Sequence, residues 1–188
     1  MSYGIEEIVN ELEEVTRRTR GLFGNLSTEQ LNWKPTTGSW SIAQCLDHLI
    51  TINQLYFPLL QSMRTGRVTP TFAERYSPMS GFFGKVLIRT LSPEYSKKTE
   101  TSQKAEPWMS EIDRGIIDRF AEHQATLMEH LQRMPPSLDR SRTVITSPLL
   151  RWVTYSLDDC LTILAVHEKR HLLQAKRVME ADTFPRSA

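Results

Sequence analysis

His167 and His171 stand four residues apart in a stretch of helical periodicity. That spacing puts both imidazoles on one helix face, within reach of a single ion. His48 lies on the apolar stripe formed by Ile42, Cys45, Leu49 and Ile52 in a second segment of the same period. Two such helices facing each other can present three neutral nitrogen ligands inside a bundle. Three protein ligands leave coordination positions open, as catalytic metal sites do. Imidazole suits several first-row ions, so spacing alone does not choose among zinc, nickel, copper and iron. A hydrogen-bonded core role for His48, and an accidental pair at 167 and 171, remain open at this level.

The same residues read His167-Glu168-Lys169-Arg170-His171, which satisfies the metalloprotease pattern H-E-x-x-H with Glu168 as general base. Two features weaken that reading. Glu180, the one downstream acid near a useful distance, falls on the opposite side of the same helix. Lys169 and Arg170 are charged where a helix beneath a protease cleft is usually apolar, and no sheet is predicted that could take a peptide as an added strand.

Other residues with chemistry to offer have plainer explanations. Glu168, Asp47 and Gln174 are candidates to orient ligands or move a proton, and each reads equally well as an exposed helix residue. His123 and His130 share a helix face with Ile116, Phe120 and Leu127, but flanking Glu122 and Glu129 suit a boundary, so both are expected to be partly exposed. Cys45 and Cys160 sit in apolar helical patterns and read as buried, reduced thiols. Trp33, Trp40 and Trp152 are able to wall a pocket.

Four long helices are predicted to position these groups. The first spans about 5–23, with Ile5, Ile8, Leu12 and Val15 on one face and acid-to-base polarity along the helix dipole. A loop over 26–35 leads to the second, about 41–64, which Ser39 or Ser41 caps and Pro58 bends. The third spans about 110–134 and ends at Pro135-Pro136. The fourth spans about 156–181, with Ser156 and Asp159 as an acidic variant of the capping box. Residues 65–108 contain four prolines and form a crossover carrying one short helix, 79–91, and an exposed loop at 97–106. No strand of convincing alternation is present. The fold class is all-α: one domain over 1–188, a four-helix bundle with a long crossover between helices 2 and 3.

The 23 basic and 22 acidic residues among 188 give no electrostatic reason to expect nucleic acid or a membrane surface as partner. No apolar run reaches the roughly 20 residues that span a bilayer. The opening Met-Ser-Tyr-Gly-Ile-Glu-Glu lacks the basic and apolar regions of a secretory signal, so a cytoplasmic location is expected.

Two blocks of the chain resemble the DinB-like superfamily. One is Leu31-Asn32-Trp33-Lys34-Pro35 with Trp40-Ser41-Ile42-Ala43-Gln44-Cys45-Leu46-Asp47-His48-Leu49. The other is Tyr155-Ser156-Leu157-Asp158-Asp159 with His167-Glu168-Lys169-Arg170-His171-Leu172-Leu173-Gln174. The resemblance implies a DinB/YfiT-like bundle and one divalent ion on His48, His167 and His171, with zinc or nickel preferred and iron or manganese as alternatives. It also implies a homodimer and a small-molecule substrate, since members of the wider superfamily include thiol-dependent S-transferases. The leading expectation is therefore a metal-dependent transferase using a low-molecular-weight thiol. The alternatives are a metal-dependent hydrolase of a small substrate and a non-catalytic, stress-response bundle whose metal is saturated by Cys45, Cys160 or Glu168.

Overall fold

Ile8, Val9, Leu12 and Val15 recur at helical spacing and are buried on one side of α1, Ile5–Phe23, whose backbone starts with the Gly4 N–H donating to the Glu7 carboxylate. The computed structural model describes residues 4–65, 74, 79–95, 111–150 and 152–186. After α1 come α2 (Thr28–Asn32), α3 (Ile42–Gln54), α4 (Phe57–Arg64), α5 (Ser80–Leu91) and α6 (Ile116–Gln132). The strands β1 (Val144–Thr146) and β2 (Thr154–Ser156) and the helix α7 (Leu157–Met179) complete the order. The long helices make an all-α bundle: α1 packs on α6 and α7, and α3 packs on the same two. The short crossover helix α5 packs on α7 and β2.

Four local features depart from the sequence-based expectations. The expected loop at 26–35 contains a turn of helix, α2, started by a capping box in which Ser27 and Gln30 each accept the other's backbone N–H. The second long helix is two helices. Pro58 has no N–H to donate to Gln54 and its ring opposes that carbonyl, so the chain breaks at Leu55-Tyr56 and restarts with Pro58 in the first turn of α4.

The third helix starts six residues late because a distant side chain claims the backbone before it. Asn32 donates to the Ile112 carbonyl at 2.7 Å and accepts the Ile112 N–H at 2.8 Å, so neither group is free for a helix. The fourth departure is a hairpin where none was expected. Val144 pairs with Ser156, Ile145 with Tyr155 and Thr146 with Thr154 in antiparallel register. Three residues per strand are too few for alternation to register, yet Ile145 and Tyr155 are both buried.

The fourth long helix begins where its cap predicts, with Ser156 accepting the Asp159 N–H at 3.0 Å. The Asp159 carboxylate lies against Gly84 of α5, where any side chain would collide with it. That close approach is what the glycine provides. The loop expected over 97–106 lies outside the described residues. Among the described residues no helix is long and apolar enough to cross a membrane.

The buried apolar side chains fall into two clusters rather than one. Leu12, Ile52, Tyr56, Leu127, Leu161 and Leu164 belong to the first, and Val15, Leu46, Leu49, Phe120, Leu172 and Ala175 to the second. Each of α1, α3, α6 and α7 contributes to both, so the division cuts across the bundle. Buried polar side chains occupy the level between them, among them Asn53, Gln124, His167 and Glu168.

Candidate metal centre

α3 brings His48 and α7 brings His167 and His171 to the same buried point. The Nε2 atoms of His48 and His167 are 3.3 Å apart, and those of His171 and His167 are 3.0 Å apart. A ligand nitrogen from each of the three lies within 4.8 Å of the others. Mutual hydrogen bonding does not account for this triangle well. His167 Nε2 has one lone pair and two imidazole nitrogens at hydrogen-bond distance, so it can accept fully from one of them only. A cation between the three uses one lone pair from each ring. The residues present therefore fit a divalent ion, by the chemistry of the donor set and by its convergence.

The electrostatics keep the rings in the ligating form. Burial pushes His167 down to about 3, and positive charge on His48 or Arg170 would push it further in the same direction. Burial likewise holds His171 well below the usual histidine range, with His167, His48 and Arg170 adding to it. Neutral imidazoles are what a metal requires. His167 and His171 keep 8% and 7% of their surface, so the cluster is not sealed as its neighbour Glu168 is at 0%.

Trp40 forms one wall. Its ring is stacked on His171 at 5.5 Å and 15°, and tilted over His48 at 4.8 Å. The other two tryptophans singled out from the sequence stand elsewhere: Trp33 packs edge-on against Phe184, and Trp152 is 93% exposed in the hairpin loop.

The remaining candidates are placed as follows. Glu168 is turned away from the nitrogens and accepts from Asn53 Nδ2 at 2.6 Å, so it has no protease-like position beside the histidines. Burial raises its carboxyl to about 7, although the Asn53 and Gln124 amides pull the other way. Lys169 pairs with Glu11 of α1 at 2.7 Å, and Arg170 donates to the carbonyls of Thr90 in the last turn of α5 and of Ser92 and Tyr95 just beyond it. The two charged residues thus tie the ligand helix to its neighbours on either side. Gln174 lies close enough to His171 to favour its protonated form, against the dominant effect of burial.

Asp47 does not reach the cluster. It lines a separate groove of about 350 Å³ between α3 and α6 with Arg119, Glu122 and His123. Burial raises its carboxyl, against the opposing pull of Arg119. His123 was expected at a boundary and is instead 7% exposed, stacked on Phe57 at 5.0 Å, because α4 folds back over that face of α6. His130, tilted against the same Phe57, is half-buried. Cys45 and Cys160 are free, wholly buried thiols that burial pushes upward, and neither joins the histidines.

Sequence reasoning missed two contributors. Asn53 and Gln124 were not singled out, although each interrupts an apolar stripe, and that interruption was the available signal.

A family model of the DinB superfamily matches residues 11–175. No curated protein and no solved structure matches the chain.

Proposed function

The chain belongs to the DinB superfamily, and from that premise we propose that it is a metal-dependent transferase that moves a small electrophilic group onto the sulfur of a low-molecular-weight thiol. His48, His167 and His171 hold its divalent ion. The observation that carries this reading is the composition of the cluster: three nitrogens and, among the described residues, no thiol or carboxylate. A bundle that merely stores a metal tends to saturate it with protein ligands, whereas a three-ligand set leaves a position for a small molecule. When bound, the ion supplies positive charge that favours a thiolate over a thiol at that position.

The chain's own residues supply the setting. Burial holds the imidazoles neutral, ready to donate lone pairs. Trp40 gives one side of the site a flat apolar wall that excludes water and suits an apolar part of the electrophile. No protein thiol serves as nucleophile, since Cys45 and Cys160 are buried away from the site. Overall a carbon–sulfur bond forms, the thiol proton is released to solvent, and the electrophile's leaving group departs with the electron pair of its broken bond.

The test is a transfer assay with metal-loaded protein, in which several cellular thiols are screened against a set of electrophiles beside a metal-stripped control. Thiol consumption that requires the metal is expected. Loaded protein that performs no better than the stripped control across the whole screen overturns the proposal.

A further inference from the structure

Besides the histidines, the apolar faces of three helices are each interrupted by a wholly buried amide or carboxyl at one level of the bundle. On α3 the stripe runs Leu46, Leu49, Asn53, with Tyr56 just past the helix end, and on α6 it runs Phe120, Gln124, Leu127. On α7 it runs Leu161, Leu164, Glu168, Leu172. Asn53, Gln124 and Glu168 are all 0% exposed, among the most deeply buried side chains in the protein. A carboxyl and two amides at that depth are costly to bury, so their presence calls for a reason that packing does not supply.

Apolar contacts alone do not define how far α7 sits along α3. Sliding α7 by one turn, about 5.4 Å, so that each place is taken by the residue four earlier, brings Leu157 to the place of Leu161, Cys160 to that of Leu164 and Leu164 to that of Glu168, and the stripe stays apolar except where Glu168 displaces Leu172. Such a slip puts Ile163 in the place of His167 and His167 in that of His171, so His48 would face one histidine of α7 where it now faces two. It would also leave Glu168 against leucine instead of Asn53. The polar level therefore penalises the very displacement that the apolar stripes tolerate, as a single buried asparagine does in a coiled coil.

The placement of the bonded atoms fits that role. Asn53 follows His48 on α3 by five residues, and Glu168 directly follows His167 on α7. Two cross-links thus join the same pair of helices, His48 to His167 at 3.3 Å and Asn53 to Glu168 at 2.6 Å. Gln124, whose amide acts on the Glu168 carboxyl, is the third polar side chain at this level, brought from α6 and wholly buried. We propose that Asn53, Glu168 and Gln124 are positioning residues that set the register of α7 against α3 and α6, and through it the convergence of His48, His167 and His171. This rests on the reading of the histidines as a metal site.

The experiment compares three proteins with wild type: Asn53→Leu/Glu168→Leu, the single variant Asn53→Asp, and Asn53→Asp/Glu168→Gln, which restores the bond with donor and acceptor exchanged. Each is read by its cobalt(II) dissociation constant, by the visible cobalt spectrum, and in the metal-free state by nuclear Overhauser contacts between the His48 and His167 rings. The double leucine variant is expected to melt no lower than wild type, to bind cobalt at least tenfold more weakly with an altered spectrum, and to lose the ring contacts. Asn53→Asp, which sets two carboxyls together, is expected to weaken binding, and adding Glu168→Gln to bring it back within threefold of wild type. A folded double leucine variant with wild-type ring contacts overturns the inference. So does an exchanged pair no better than Asn53→Asp, which decides the matter if the leucine variant does not fold. Wild-type protein whose cobalt spectrum is indifferent to His48→Ala overturns the metal reading instead, and the ring contacts still judge the register.

Discussion

Trp40 lies nearly parallel to His171, with ring centroids 5.5 Å apart and planes 15° apart, and leans over His48 at 4.8 Å. The indole therefore touches two of the three rings that converge. A paramagnetic ion held by those rings quenches it at short range. Addition of cobalt(II) is expected to dim the tryptophan emission of the wild-type protein, and Trp40→Phe is expected to lose most of that quenching while still binding the ion. Equal quenching in both proteins would place the ion elsewhere.

Removing two corners of the nitrogen triangle leaves one imidazole, too few ligands for a stable site. The His48→Ala/His167→Ala variant is expected to retain less than a tenth of the metal that the wild-type protein carries, by elemental analysis after gel filtration. Full stoichiometric retention would refute the ligand assignment.

His123 gives the metal-free protein an acid sensitivity of predictable sign. Its folded-state value is pushed down to about 4 by burial, against about 6.5 in an unfolded chain. Between those values the unfolded chain takes up a proton that the folded protein refuses, so this group lowers stability as pH falls from about 6.5 towards 4 and has no effect above that range. His123→Phe, which keeps a ring against Phe57, is expected to lose less of its melting temperature between pH 7 and pH 4.5 than wild type does. Parallel pH profiles would count against it.

Gly84 and Gly81 share α5 but not surroundings. A Cβ on Gly84 would run into the Asp159 carboxylate, whereas one on Gly81 meets nothing within 4 Å. Gly84→Ala is expected to cost about 1–3 kcal/mol by overpacking. Gly81→Ala is expected to be neutral or to stabilise by up to about 1 kcal/mol through helix propensity. Denaturant unfolding of the two variants measures both, and equal effects would mean the α5–α7 approach is not tight.

The sequence carries local information well and distant information poorly, and the departures follow that line. Ser156 and the His167/His171 pair depend on residues within one turn, and helical periodicity made both legible. The late start of α6 depends on Asn32, 80 positions away from Ile112, and no local signal announces it. Three-residue strands are too short for their pattern to exceed chance. Glu168 was legible as part of H-E-x-x-H, but only its packing against Asn53 shows which way the carboxyl faces.

The polar level through the bundle also changes how losses combine. Leu12 and Val15 are neighbours on α1, less than one turn apart, and side chains that close ordinarily share partners and interact energetically. Here Leu12 packs into one apolar cluster and Val15 into the other. The vacancies left by Leu12→Ala and Val15→Ala open into separate compartments, so their costs should simply add. Leu12→Ala and Leu161→Ala, distant in sequence but within one compartment, should not. Energetic neighbourhood in this protein is decided by which side of a hydrogen-bonding wall a residue stands on, and not by its distance along the chain.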